Sequence, residues 1–344
     1  MNNRNQTLDI AKGLLIILVV FGHSIQYGFG YLYCEEERFF DNIFFRCIYT
    51  FHMPLFMLIS GYLFYFTNKK SYKRILVSRF TSVGIPFMVY CALSYIVWYN
   101  LYNMPHFYLR HFLLTLKSNM WFLSSILLNC IIVSSLTHLL KKKQTVAYLI
   151  LCVFFSLTFI ISDNYIPALH KYMYFYFLVG VYLNKWSVRL PRFFWSKWVF
   201  ILLTCLTITC SLFYDETMFV YKVGFCVYQN GIIDYDRLYI NILRFIVGGG
   251  ISCWFMRIVF FIKQHIQTLV PFITHIGQET LGIYGFQSVI FIILSIVMSI
   301  NNVNFNMEIV PLFFCCVILL LCEIAIRLCS LNRYTKLLFL GKWD

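Results

Sequence analysis

The sequence predicts an all-α fold: a polytopic transmembrane bundle of about ten helices, with both chain termini in the cytoplasm. Of its 344 residues, 60% are hydrophobic and only 12% are charged, whereas soluble domains carry about 25% charged residues. The mean hydropathy is +0.74, so the apolar side chains need lipid as their solvent. Aromatic residues make up 20% of the chain, which suits the membrane interfaces where Tyr and Trp concentrate.

Successive apolar segments of about 17–25 residues are each long enough to cross the hydrocarbon core as helices. We place them near residues 9–28, 43–66, 75–99, 120–140, 145–162, 170–186, 198–214, 238–260, 277–299 and 307–329. The breaks between them leave little room for a separate soluble domain, which predicts a single integral-membrane domain over residues 1–344.

The polar breaks between these segments alternate in charge. The strongly basic stretches lie at 4–12, 69–79, 141–143, 185–197, 257–263 and 327–342. Loops rich in Lys and Arg stay in the cytoplasm, so both termini are predicted to lie inside, which requires an even number of spans. The net charge of +14 then reflects orientation and contact with anionic membrane lipid, and we expect no nucleic-acid partner.

The first segment carries charged residues and a histidine on one helix face. Asp9, Lys12, Ile16, Val20 and His23 follow steps of three and four residues and so form one stripe. Ionisable groups inside a membrane helix are costly and usually line a pathway or a reaction site. A plainer interpretation ends the helix at Asp9 and Lys12 among headgroups and makes His23 a satisfied interior histidine.

The second segment combines a histidine, a proline and small residues. Pro54 removes one interior hydrogen bond of the helix and frees a carbonyl close to His52. Ser60 and Gly61 offer a small-residue face on which another helix can pack. We predict a kinked, partly polar seam facing His23, although a kinked helix with one buried histidine is common in membrane proteins.

The cysteines and outer-loop histidines do not indicate a metal site. Nearly all of the 13 cysteines lie within apolar runs, where cysteine behaves as a small hydrophobic residue. No Cys-x-x-Cys pair and no zinc-type Cys/His spacing occurs. His106 and His111 fall in a short outer loop without a third ligand. The three glycines at 248–250 lie inside a span and favour close helix packing.

These motifs, taken together, resemble the integral-membrane acyltransferase-3 family of sugar O-acyltransferases, and most closely its fucose 4-O-acetylase branch. The resemblance rests on Lys12-x10-His23 preceded by Arg4 and Asp9, FHMPLFMLISGYLF at 51–64, Arg74 to Arg79 leading into Ile85-Pro86-Phe87, Trp121-Phe122-Leu123, 177–180 and 276–284. It covers most of the chain in order. Two departures are Ser82, three residues after Arg79 where the family often has a second arginine, and Gln287, near where it commonly has a histidine.

The resemblance implies transfer of an acyl group, usually acetyl, from cytoplasmic acetyl-CoA to a hydroxyl of a cell-surface or lipid-linked glycan on the outer face. His23 would be the catalytic imidazole, acting as a base or accepting the acetyl group itself. Lys12, Lys73, Arg74 and Arg79 would meet the donor phosphates at the inner rim. Asp9 would pair with Lys12 or Arg4, and His52, Ser60 and Trp121 would line the tunnel. These basic residues have a second explanation that needs no donor, because Lys and Arg in cytoplasmic loops set the orientation of a membrane protein.

The acceptor is expected at the longer outer loops, residues 34–41 and 215–237, whose tyrosines suit both sugars and a membrane interface. The implied location is a bacterial inner or plasma membrane. A polysaccharide or lipid-linked sugar transporter is the alternative function; it would favour paired half-helices or two similar halves. A non-catalytic scaffold is a further alternative, but it leaves the Lys12 and His23 stripe unexplained.

Overall fold

The computed structural model describes residues 5–28, 39–40, 42–101, 109–118, 120–186, 189–229, 231–300 and 310–343. The predicted roles of Arg4 and His106, and most of the outer loop 34–41, fall outside these ranges.

The described part of the chain is almost entirely helical. Its first helices are α1 (Gln6–Gly28), α2 (Ile43–Thr67), α3 (Tyr72–Arg79), α4 (Ile85–Leu101), α5 (Leu109–Ser118), α6 (Trp121–Leu139), α7 (Gln144–Thr158) and α8 (Ala168–Lys185). They are followed by α9 (Leu190–Trp195), α10 (Lys197–Ser211), α11 (Val220–Val223), α12 (Tyr235–His265), α13 (Val270–Gln278), α14 (Thr280–Ile300), α15 (Val310–Ser330) and α16 (Arg333–Leu340). A short antiparallel hairpin, β1 (Tyr228–Gln229) and β2 (Ile232–Ile233), precedes α12.

Several of these helices suit a membrane. Among the described residues, 6 helices are long and apolar enough to cross it, and the bent pair α13–α14 would make 7. Large apolar side chains face outward, such as Leu320 at 61% and Leu328 at 62% exposure on α15, where lipid would cover them. Helices account for most of each of the ten predicted segments, but α7 and α10 have only 15 residues each, and α8 is not among the helices apolar enough to cross. The count of ten spans therefore stays a prediction.

The chain forms two compact units: Met1–Ile48 with Ser78–Ser124 and Thr268–Asp344, and Tyr49–Val77 with Ser125–Gln267. In the first unit, α1 crosses α13 with almost no space between the backbones. A Cβ added to Gly13 would lie 2.1 Å from the Ile273 carbonyl oxygen, and one added to Gly277 would lie 1.9 Å from that of Asp9. Glycine at both places allows a contact that no larger residue fits.

Two predicted straight spans are irregular in the structure. The segment predicted at 75–99 begins as α3 and passes through a π-helical turn, Phe80–Gly84, before α4. Pro86 has no N–H for the Ser82 carbonyl, and the glycine at 341 approaches that oxygen: its Cβ would lie 2.3 Å away. The segment predicted at 277–299 is broken at Glu279, where α13 and α14 meet at a bend of 73°.

The second unit is also built on close glycine crossings. Gly61 of α2 and Gly180 of α8 approach each other's helices, with added Cβ atoms 2.1 Å from the Phe177 oxygen and 2.0 Å from the Leu58 oxygen. Gly250 of α12 lies against α10, where its Cβ would meet Thr207 Oγ1 at 1.5 Å. The small residues predicted to favour packing at 61 and 250 do so.

The outer-loop interpretation of His111 was wrong in one respect. The residue lies on α5, an amphipathic helix whose Leu109 and Leu113 are exposed. Such a short helix escapes a search for spans because it has half the length needed to cross a membrane.

Candidate active site

His23 lies near the end of α1, the first helix of the first unit, and its ring is half-buried. Its Nδ1 atom is 2.8 Å from Oε1 of Gln26, one turn further on. In the tautomer in which Nδ1–H donates to this oxygen, the neutral ring has its lone pair at Nε2. Gln26 itself is only 3% exposed, so this contact is shielded from water.

An aromatic wall from α14 stands beside this histidine. The Phe291 ring centroid is 6.1 Å from that of His23 and 4.7 Å from that of Tyr27, on which it stacks. Gln287 precedes Phe291 by one helical turn, so the two side chains share a face of α14. It is 1% exposed, and no described residue hydrogen-bonds its Oε1 atom. A ligand N–H or O–H reaching this face would satisfy that oxygen.

Asp9 and Lys12 form an ion pair, with 2.7 Å between Oδ1 and Nζ. Both side chains are largely covered, at 4% and 16% exposure. Lys12 and Arg4 were the two partners predicted for Asp9, and the pair with Lys12 is present, whereas Arg4 lies outside the described residues. His23 lies eleven residues beyond Lys12 on the same unbroken helix, which is about 16 Å along the axis, so neither charge touches the ring.

The other basic candidates lie on α3. Lys73 and Arg74 are exposed, while Arg79, at the end of the helix, is half-buried. Tyr72 fixes the start of this helix through a 2.9 Å hydrogen bond between its hydroxyl and that of Ser135. The exposed cations can therefore reach a soluble anion without breaking a packed contact.

Of the three residues predicted to line the tunnel, one lies in the first unit and two lie in the second. Trp121 begins α6 in the first unit and is half-buried, with its ring centroid 5.9 Å from that of Phe122. His52 is 3% exposed and lies in the second unit, 4.8 Å from Tyr49 between ring centroids. Ser60, in the same unit, donates its hydroxyl to the Phe56 carbonyl at 2.9 Å. Their convergence on His23 stays a prediction.

Two glutamates of the first unit, Glu279 and Glu323, are each paired with basic side chains. Glu279, at the break between α13 and α14, accepts from Lys342 Nζ at 2.6 and 2.8 Å. Glu323 accepts from Arg327 at 2.7 Å and lies 3.2 Å from His275 Nε2. Within the ranges that the structure describes, no three His, Cys, Asp or Glu residues are placed to hold a metal ion.

Comparison with known proteins gives this arrangement a family. The profile of the acyltransferase-3 family, described as an acyltransferase domain, matches residues 5–328. The chain belongs to that family. It is therefore an acyltransferase, and a multi-pass membrane protein. The predicted membership of the acyltransferase-3 family is confirmed over nearly the whole chain, while the fucose 4-O-acetylase branch stays a prediction.

Two relatives of this acyltransferase are nodulation proteins. It is 28% identical to the nodulation protein NolL of Sinorhizobium fredii over 84% of this chain and 79% of that protein. It is 26% identical to the NolL protein of Mesorhizobium japonicum over 86% of this chain and 79% of that one. No solved structure matches the chain significantly.

Sequence reasoning missed Gln26 and assigned no role to the environment of Gln287. Gln26 falls three residues after His23, the spacing at which helix side chains meet, so a search for partners of the histidine would have found it. The contact of Phe291 with His23 joins α14 to α1, and no sequence spacing carries that information.

Proposed function

We propose that this acyltransferase moves an acetyl group from cytoplasmic acetyl-CoA to a hydroxyl of a cell-surface or lipid-linked glycan, with His23 as the base. The observation that carries the proposal is the hydrogen bond from His23 Nδ1 to the buried Gln26. It leaves Nε2 able to take a proton, as transfer to a hydroxyl requires. The family match supports the reaction class.

The proposed reaction is a direct transfer. Nε2 of His23 takes the hydroxyl proton of the acceptor while the oxygen attacks the thioester carbonyl carbon. The C–S bond then breaks, and the departing thiolate recovers the proton from the imidazolium, giving an O-acetyl ester and free CoA. In a two-step route, Nε2 would first accept the acetyl group itself and form the same products. Trapping a labelled, acetylated protein in the absence of acceptor would distinguish this second route.

We assign the donor phosphates to Lys73 and Arg74, with Arg79 nearer the membrane. Their exposure supports this order, because an exposed cation meets a phosphate without losing a packed contact. Lys12 already neutralises Asp9, so we assign this pair to shaping the cytoplasmic entry. His52, Ser60 and Trp121 would line the path of the thin pantetheine arm. The apolar interior would keep the charged CoA head at the rim.

The proposed setting is the inner or plasma membrane of a bacterium, with ten spans and both termini inside. The alternation of basic breaks supports this orientation, and both relatives come from bacteria. Acyl-CoA would then bind from the cytoplasm and the glycan from the outer face. The fucose branch of the family is the proposed subclass.

His23→Ala tests the proposal. Membranes carrying equal amounts of the wild type or the variant are supplied with labelled acetyl-CoA and a glycan acceptor. We expect transfer to fall by roughly 100-fold or more, the usual contribution of a general base. The matched control is His265→Ala, which removes an exposed histidine at the end of α12 and should leave transfer unchanged. Undiminished transfer by His23→Ala would refute the proposed role.

A further inference from the structure

A polar cavity of about 450 Å³ opens in the second unit, in a part of the chain that the reaction described above does not use. It is lined by Ser162, Asp163, Asn164, Cys226, Tyr228, Gln229 and Arg237. These residues come from two segments, one after α7 and one before and at the start of α12. The predicted topology puts both segments on the outer side of the membrane. The volume lies in the range of small-molecule sites.

The carboxylate of Asp163 fixes one wall. Its Oδ1 accepts from Lys171 Nζ at 2.9 Å, and its Oδ2 accepts from the backbone N–H groups of Phe225 and Cys226 at 2.9 and 3.1 Å. Gly224 adopts a left-handed φ of +83°, and an added Cβ would lie 2.5 Å from Oδ2. The two segments are therefore locked together by a residue that also lines the cavity.

A buried arginine outside the cavity lining stabilises the loop before α12. Arg244 is 1% exposed and donates to the carbonyls of Gly224 at 2.6 Å and Phe219 at 3.1 Å. Its Nη1 also donates to Asn241 at 2.7 Å, and the Asn241 amide donates to the Phe225 carbonyl at 2.8 Å. A loop held by this many bonds is preorganised, which lowers the entropy lost when a ligand binds.

The chemistry of the walls favours a neutral ligand rich in hydroxyl groups. Arg237 is paired with Asp234 at 3.2 Å and Asp163 with Lys171 at 2.9 Å, so both charges that line the cavity are compensated. The lining therefore offers phosphate no uncompensated cation. Carboxylate, guanidinium, amide and hydroxyl groups together both donate and accept, which matches vicinal hydroxyls. Tyr228, 45% exposed, adds an aromatic face for the apolar side of a sugar ring.

We propose that this cavity is a carbohydrate subsite that binds one neutral sugar residue of the acceptor glycan. The identification of its ligand as an acceptor rests on the proposed function. Binding itself depends only on the cavity. The loop 215–237 was expected to meet the acceptor because of its tyrosines, and it contributes Tyr228, Gln229 and Arg237 to the cavity. The opposite wall, formed by residues 162–164, was not indicated by the sequence.

The test is direct binding by the purified full-length protein in nanodiscs. The probes are the methyl glycosides of fucose, galactose, glucose and N-acetylglucosamine, with inorganic phosphate as an anionic probe, each followed by saturation-transfer NMR. We expect at least one glycoside to bind and phosphate not to bind. Tyr228→Ala should weaken that binding by roughly five- to tenfold, and Asn164→Ala, which alters the polar wall, should weaken it as well.

The matched control is Tyr165→Ala, which removes a neighbouring tyrosine that is 85% exposed and lies outside the lining. The affinity of this variant for the glycoside should stay within about twofold of the wild-type affinity. Binding of no glycoside at millimolar concentration, binding of phosphate instead, or equal affinity in the Tyr228 and Tyr165 variants would overturn the proposal. His23→Ala should bind the glycoside normally. Normal glycoside binding without any acetyl transfer by the wild type would reject the proposed function and leave the subsite standing.

Discussion

The hydrogen bond between His23 and Gln26 makes a quantitative prediction for Gln26→Leu, a change that keeps most of the side-chain volume. The leucine cannot accept from Nδ1, so the ring loses the 2.8 Å contact that sets its tautomer. Because Gln26 is 3% exposed, water does not replace the lost acceptor. Removing one partner of a hydrogen bond shielded from water costs about 1–3 kcal/mol.

Because the proposed reaction needs the lone pair at Nε2, we expect this cost to raise the activation barrier of transfer. A barrier raised by about 1–3 kcal/mol lowers kcat roughly 5- to 150-fold. The KM for the acceptor should change little, since Gln26 acts through His23 and not on the substrate. The loss should be smaller than that of His23→Ala, which removes the base altogether and with it roughly 100- to 10,000-fold of catalysis.

The assay is acetyl transfer by purified protein in nanodiscs, with kcat and KM measured separately over a range of acceptor concentrations. Ser24→Ala is the matched control. Ser24 is equally buried, and its hydroxyl donates at 2.8 Å to the Val20 carbonyl of its own helix, so its loss should leave kcat within about twofold. A correctly folded Gln26→Leu protein with wild-type kcat would refute the proposed orientation of His23.

Two further predictions concern the stability of the second unit. Gly250→Ala should lower the free energy of unfolding by about 1–3 kcal/mol, because the added Cβ would meet Thr207 Oγ1 at 1.5 Å. The control variant Gly249→Ala, whose added Cβ would have nothing within 4 Å, should be neutral or stabilising. Equal melting temperatures for the two variants would contradict the packing. Asp163→Asn should cost roughly 3 kcal/mol, because it strands the fully buried Lys171 side chain. Adding Lys171→Met should recover part of that loss in thermal unfolding, and a double variant less stable than the single one would count against the ion pair.

The sequence was sufficient wherever a local pattern carries the information. The apolar segments predicted the helices, because a chain this apolar must satisfy its backbone hydrogen bonds internally in lipid. Lys12 was one of two partners predicted for Asp9, and their ion pair follows from the three-residue step between them, since helix geometry brings such positions together. Small residues at 61 and 250 predicted close crossings for the same reason.

The irregular features depended on contacts between distant segments. The break at Glu279 accompanies the crossing of Gly277 with α1 and the pairing of Glu279 with Lys342, which is far away in the chain. The π-helical turn before Pro86 lies where the glycine at 341 approaches the freed Ser82 carbonyl. Hydropathy predicts both segments as ordinary spans, because neither the break at Glu279 nor the π-helical turn changes the apolar character of the residues.

By itself, the sequence determined the class of protein and the helix containing His23, and it limited the predicted partners of Asp9 to Lys12 and Arg4. Only the tertiary structure brought Phe291 and the face of Gln287 beside the first helix, and joined Asp163 to the loop before α12. The physical reason is one of range. Composition and periodicity report how each residue meets lipid or its own helix, whereas a site is made by side chains that are far apart in sequence and meet only when helices pack.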